Sequence, residues 1–153
     1  MPLTALLIGN ESLTAERGLR VVAPGQGLAA RLGDAEVDWV LSVANLTLIP
    51  EAVLARARQG GVNFHDGPLP GYAGLNAPVW ALLAGEARHA VTWHLMTPGI
   101  DEGEVLVTRE LDIGPEDTAF SLNARCFAAA VESFPGVIAA LEAGGPPPRA
   151  PGA

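Results

Sequence analysis

The run VDWVLSVA, residues 37–44, is apolar at almost every position. A strand with one wet face alternates apolar and polar residues, whereas one that is apolar throughout is covered on both faces. Such strands belong to largely parallel sheets, whose neighbours are joined by crossovers that lay helices on the sheet. The run therefore points to an α/β fold, and its flanks agree. Residues 3–8 (LTALLI) and 19–23 (LRVVA) read as strands, and 26–32 (QGLAARL) as a short helix stopped by Gly33. Pro50 sits where a helix begins, and EAVLARAR continues that helix toward Gly60 and Gly61. A short strand, Val62 to Phe64, follows. Residues 77–84 (APVWALLA) suit another helix. Val91 to Met96 and Glu104 to Leu111 suit strands that can pair across the loop between them. Asp117 or Thr118 can cap a long last helix reaching Glu142, which Pro135 must kink or divide. The spacing thus predicts an α/β fold with a mostly parallel sheet flanked by helices, in one domain over residues 1–143. Residues 144–153 form a Pro/Gly-rich tail or linker.

Composition narrows the function. The 153 residues carry a net charge of -8, and all nine basic residues are scattered arginines. Nucleic-acid binding needs clustered cations, so a nucleic-acid partner is not expected. No apolar run reads as a membrane span, and the first residues lack the basic segment of a secretion signal. The single cysteine, Cys126, forbids an internal disulfide. A cytoplasmic protein without a membrane partner is expected. His65, His89, His94 and Cys126 lack metal-ligand spacing, so no metal is expected. The stretch GQGLAA imitates a dinucleotide-binding turn, but no acidic residue closes the next strand to hold a ribose.

In open α/β sheets ligands bind beyond the carboxyl ends of the strands. At such an end stands NFHDGPLPGY, residues 63–72. Residues two apart on a strand share a face, so Asn63 and His65 converge on one cleft. Pro68, Pro70 and Gly71 give the following loop a fixed path. Asp101, in the loop TPGIDEGE, can reach the same cleft and orient His65 or a water. His94 reads as a strand residue facing a polar neighbour. Each of these residues alone has an ordinary structural explanation; together they suggest a site.

The stretches GVNFHDGPLPGYAGLNAPVWALLAGE and AVTWHLMTPGIDEGEVLV resemble the folate-dependent formyltransferase family. The resemblance rests on Asn63-x-His65, Leu69-Pro70, Tyr72, Gly74, Trp80, Val91-Thr92 and Asp101-x-Gly103, in order, and covers roughly residues 38 to 132. It implies 10-formyltetrahydrofolate as the formyl donor and an amine, small or carrier-bound, as acceptor. It implies that Asn63 and His65 stabilise the oxyanion and that Asp101 assists proton transfer. It implies further that Leu46, Leu48, Ile49, Gly99 and Ile100 line the folate site. The HDGPLP variant resembles a subgroup found in stand-alone enzymes and in synthetase-linked formylation domains, which makes adjacent synthetase domains candidate partners.

The resemblance also implies an α/β, mostly parallel Rossmann-like sheet flanked by helices, with an opening half of strand, helix, strand, helix, strand. Here only GNESLTAERG separates the first strand from LRVVA, so a shortened N-terminal half is expected. Two other activities fit the same residues: a formyltetrahydrofolate hydrolase, with water as acceptor, and a catalytically silent folate-binding or docking module.

Overall fold

The computed structural model describes residues 5–8, 20–22, 29–30, 33–34, 36–43, 49–97 and 101–144. The chain divides into two compact units, Met1–Asn63 and Phe64–Ala153.

The first unit is a parallel sheet. Its strands are β1 (Ala5–Ile8), β2 (Arg20–Val22), β3 (Val37–Ser42) and β4 (Ala57–His65), in the order β2-β1-β3-β4, with β4 running on into the second unit. Parallel partners run Leu6↔Arg20, Leu6↔Val40 and Val40↔Gly61. The apolar run of β3 is buried on both faces, as its composition requires: Trp39, Val40, Leu41 and Val43 are all buried. Helix α1 (Glu51–Leu54) packs Val53 against Val37 and Val40, with Ile49, Leu54 and Ala57 around them.

Two expectations change here. The helix expected to continue through Arg58 ends at Leu54, and β4 begins at Ala57 rather than Val62. The residues EAVLARAR favour helix individually, but pairing with β3 outweighs that weak preference. Val37 N–H donates to the Arg56 carbonyl, and Arg58 reaches Asp38 at 3.3 Å and Glu36 at 3.7 Å. Most of the helix expected over 26–32 lies outside the described residues; Ala29 and Ala30 are helical.

In the second unit, β5 (Arg88–Leu95) and β6 (Val105–Asp112) pair antiparallel, with Val91 opposite Arg109. The short α2 (Ala77–Leu83) and the long α3 (Ala119–Glu142) complete it. Pro135 lies inside α3 without dividing it. Thr118 caps that helix: its hydroxyl accepts from Ser121 N–H while the Ser121 hydroxyl accepts from Thr118 N–H. The core is aromatic. Phe64 meets Trp93 edge-on at 5.1 Å, and Trp93 lies 5.9 Å from Phe134 on α3. The Trp93 indole donates to Ser133 Oγ at 2.8 Å, so its one polar atom is satisfied in the dark of the core. By length and composition α3 is apolar enough to cross a membrane, contrary to the sequence expectation. Leu122, Cys126, Ala129, Ala130, Phe134 and Val137 are among the residues it buries inside this unit.

Candidate active site

The second unit gathers three ionisable side chains. His65, the last residue of β4, is buried, and its Nδ1 lies 3.4 Å from Asp101 Oδ2. His94, near the end of β5, places Nε2 3.5 Å from Asp101 Oδ1. A carboxylate thus stands between two imidazoles. Asp101 adopts the left-handed conformation (φ 54°), a geometry that Asp tolerates better than most residues, and Gly74 N–H donates to its Oδ2 at 2.8 Å. Burial alone would raise the Asp101 pKa. The His94 hydrogen bond, the Gly74 N–H and the nearby charge of His65 outweigh burial and hold it below its ordinary 3.8. At neutral pH this group is a carboxylate. Two residues on, Gly103 has no room for a side chain, because a Cβ there would lie 1.4 Å from the Leu95 carbonyl oxygen.

The loop after β4 is held by its backbone. His65 Nε2 donates to the Tyr72 carbonyl at 2.5 Å, and Tyr72 N–H donates to the Pro68 carbonyl at 2.9 Å. Thr92 Oγ1 donates to the Gly67 carbonyl at 2.8 Å, and His89 Nε2 to the Asp66 carbonyl at 2.7 Å. The Leu69–Pro70 peptide is cis. Tyr72 Oη donates to Glu86 at 2.7 Å, and that bond pushes the phenol pKa up. Cys126 lies 4.0 Å from the Asp66 carbonyl, and burial pushes its thiol up to about 12, so it is no nucleophile at neutral pH.

The structure therefore brings His65 and Asp101 together. It adds His94 as a direct partner of Asp101, and it adds two main-chain groups, Tyr72 O and Gly74 N–H. Sequence reasoning missed those two because backbone atoms leave no residue-type signature. His65 Nε2 already has an acceptor, so donation to a substrate oxygen must share or replace the Tyr72 bond. Asn63 stands two residues before His65 in β4, on the same face of that strand by its alternation, and is partly buried. Of the expected folate-lining residues, Leu46, Leu48, Gly99 and Ile100 lie outside the described residues. Ile49 is described, and it packs on the Val37, Val40 and Val53 cluster of the first unit. Among the described residues no group of His, Cys, Asp and Glu is arranged to hold a metal ion.

Known proteins are similar to this chain in sequence and in fold. Residues 14–138 match the family described as formyl transferase. GDP-perosamine N-formyltransferase of Brucella melitensis biotype 1 is 35% identical over 109 residues, which are 71% of this chain and 42% of that protein. The chain therefore spans less than half the length of that relative. A 4-N formyltransferase from Francisella tularensis has the same fold, with a TM-score of 0.80 at 16% identity over 99% of this chain and 74% of that one. The formyltransferase PseJ from Anoxybacillus kamchatkensis, solved with UDP-4,6-dideoxy-4-formamido-L-AltNAc and tetrahydrofolate, superposes with a TM-score of 0.69 at 24% identity, over 88% of this chain and 78% of that one. By the match over residues 14–138, this chain is a member of the formyl transferase family.

Proposed function

We propose that the chain transfers a formyl group from 10-formyltetrahydrofolate to an amine. The observation that carries this reading is the carboxylate of Asp101 held between His65 and His94, in a chain of the formyl transferase family. The amine nitrogen attacks the formyl carbon, and the formyl oxygen becomes an oxyanion. The Asn63 amide and a protonated His65 donate to that oxygen. Asp101 carries its charge at neutral pH, so it stabilises the imidazolium and orients a water that takes the proton from the attacking nitrogen. The bond from the formyl carbon to N10 then breaks, and N10 of tetrahydrofolate receives a proton. The products are a formamide and tetrahydrofolate. We assign Leu46, Leu48, Ile49, Gly99 and Ile100 to the wall of the folate site on the family resemblance.

We favour a small or carrier-bound amine over tRNA as acceptor. The net charge of -8 opposes a polyanion and alone carries this preference, since the relatives include both GDP-perosamine N-formyltransferase and methionyl-tRNA formyltransferase. Residues 1–143 form the catalytic domain in this reading, and the Pro/Gly-rich residues 144–153 serve as a linker, suited to an adjoining synthetase domain. The reaction belongs in the cytoplasm, in keeping with a chain that has one cysteine and forms no internal disulfide.

The test is incubation with 10-formyltetrahydrofolate and a panel of amines, read by mass spectrometry for an added formyl group. Formylated amine supports transfer. Free formate released equally with and without amine shows a hydrolase instead. Folate binding without turnover, unchanged by Asn63→Ala, shows a silent binding module.

A further inference from the structure

His89 is buried at 3% exposure, yet it stands outside the cluster around Asp101. Its Nε2–H donates to the Asp66 carbonyl, and its Nδ1 has no hydrogen-bond partner among the described residues. An unpartnered buried nitrogen is costly, and an apolar side chain of similar size would avoid it. Stability of the core therefore does not account for a histidine at this position. The one bond it makes does.

That bond lies beside the reacting group. The Asp66 carbonyl belongs to the peptide entering Gly67, and the Gly67 carbonyl, held by Thr92, belongs to the peptide leaving it. Both peptides of Gly67 are thus pinned by side chains of β5. Gly67 in turn abuts the His65 ring: a Cβ at this glycine would lie 3.2 Å from His65 Nε2 and 2.6 Å from the Ala77 Cβ. Downstream, the same loop supplies the Tyr72 carbonyl to His65 and the Gly74 N–H to Asp101. The His89 ring also meets Tyr72 edge-on at 6.2 Å.

We infer that His89 is a positioning residue for formyl transfer: through the Asp66 carbonyl it fixes the loop that sets the His65 ring and the Asp101 carboxylate. This rests on the reading of His65 and Asp101 as the reacting pair. A displacement of about 1 Å at a reacting group can cost about 100-fold in rate.

Three variants separate the bond from the mere presence of a side chain. His89→Leu removes the donor. His89→Asn supplies an amide N–H donor but places its nitrogen at the Nδ1 position, short of the carbonyl. His89→Gln places its nitrogen where Nε2 stands. The expected result is a kcat lowered by about 10- to 100-fold in the Leu and Asn variants, with KM for donor and amine little changed, and recovery in His89→Gln. The His65 ring signals in nitrogen-edited NMR should move in the Leu and Asn variants and return in the Gln variant. If His89→Leu does not fold, the Asn–Gln pair carries the comparison. Wild-type kcat and unmoved His65 signals in the Leu or Asn variant overturn the inference, as does equal impairment of Asn and Gln. Should the wild-type chain transfer no formyl group while the His65 signals behave as expected, the positioning role stands and the assigned reaction falls.

Discussion

Asp101 accepts a hydrogen bond from the Gly74 main chain and faces two histidines, and its pKa lies below the ordinary 3.8. The folded chain therefore binds the Asp101 proton less readily than the unfolded chain. Its contribution to stability is complete above the ordinary value and is lost as pH falls through the lower folded-state value. Asp101→Asn should flatten the dependence of Tm on pH in the range below about pH 4, as followed by circular dichroism. At neutral pH Asn63→Ala should lower kcat by about 100- to 1,000-fold without loss of fold, if its amide donates to the oxyanion. At this scale the sequence was most informative about side chains. His65 and Asp101, which the structure brings together, had been singled out by residue type and by the family resemblance, whereas Asn63 is placed beside His65 only by strand alternation. Tyr72 and Gly74 contribute only main-chain atoms to the same cluster, and His89 bonds only to a carbonyl. None of these contacts depends on a pattern of residue types that reading could detect.

Among the elements, α3 was the easiest to anticipate, because a capping residue, apolar periodicity and a closing glycine all agree. Its cap also offers a test. Thr118→Ala removes the acceptor for Ser121 N–H and should cost about 1 kcal/mol, lowering Tm by about 2–4 °C in a thermal melt. A larger effect is expected deeper in the helix. Ser133→Ala would strand the buried Trp93 indole N–H and should cost about 1–3 kcal/mol, measured by denaturant unfolding. The strand β4 was harder to anticipate. Residues 57–61 carry good helix formers and two glycines, and only their long-range partners in β3 make them extended. Pairing between segments distant in sequence overrode local preference, and a single sequence does not display such pairs.

For the whole molecule, charge and topology were legible at different levels. The largely parallel part of the sheet was expected from the doubly buried β3, and the pairing of β5 with β6 from the two facing runs. The parallel pairing of β1 with β2 across residues 9–19 was harder to foresee, because eleven residues is close to the shortest crossover, about 10–12. Net charge is readable directly. With a pI near 4.7, self-repulsion vanishes at mildly acidic pH, so solubility should pass through a minimum near that value, as light scattering across pH would show.

Cys126 is the only thiol in the chain, it is buried, and its pKa is about 12. Maleimides and iodoacetamides react with thiolates, so they should leave it untouched at neutral pH. A cysteine introduced at exposed Ala73, between the two residues whose main chain grips His65 and Asp101, would then be the sole point of attachment for a fluorophore or spin label, with no prior thiol removal needed.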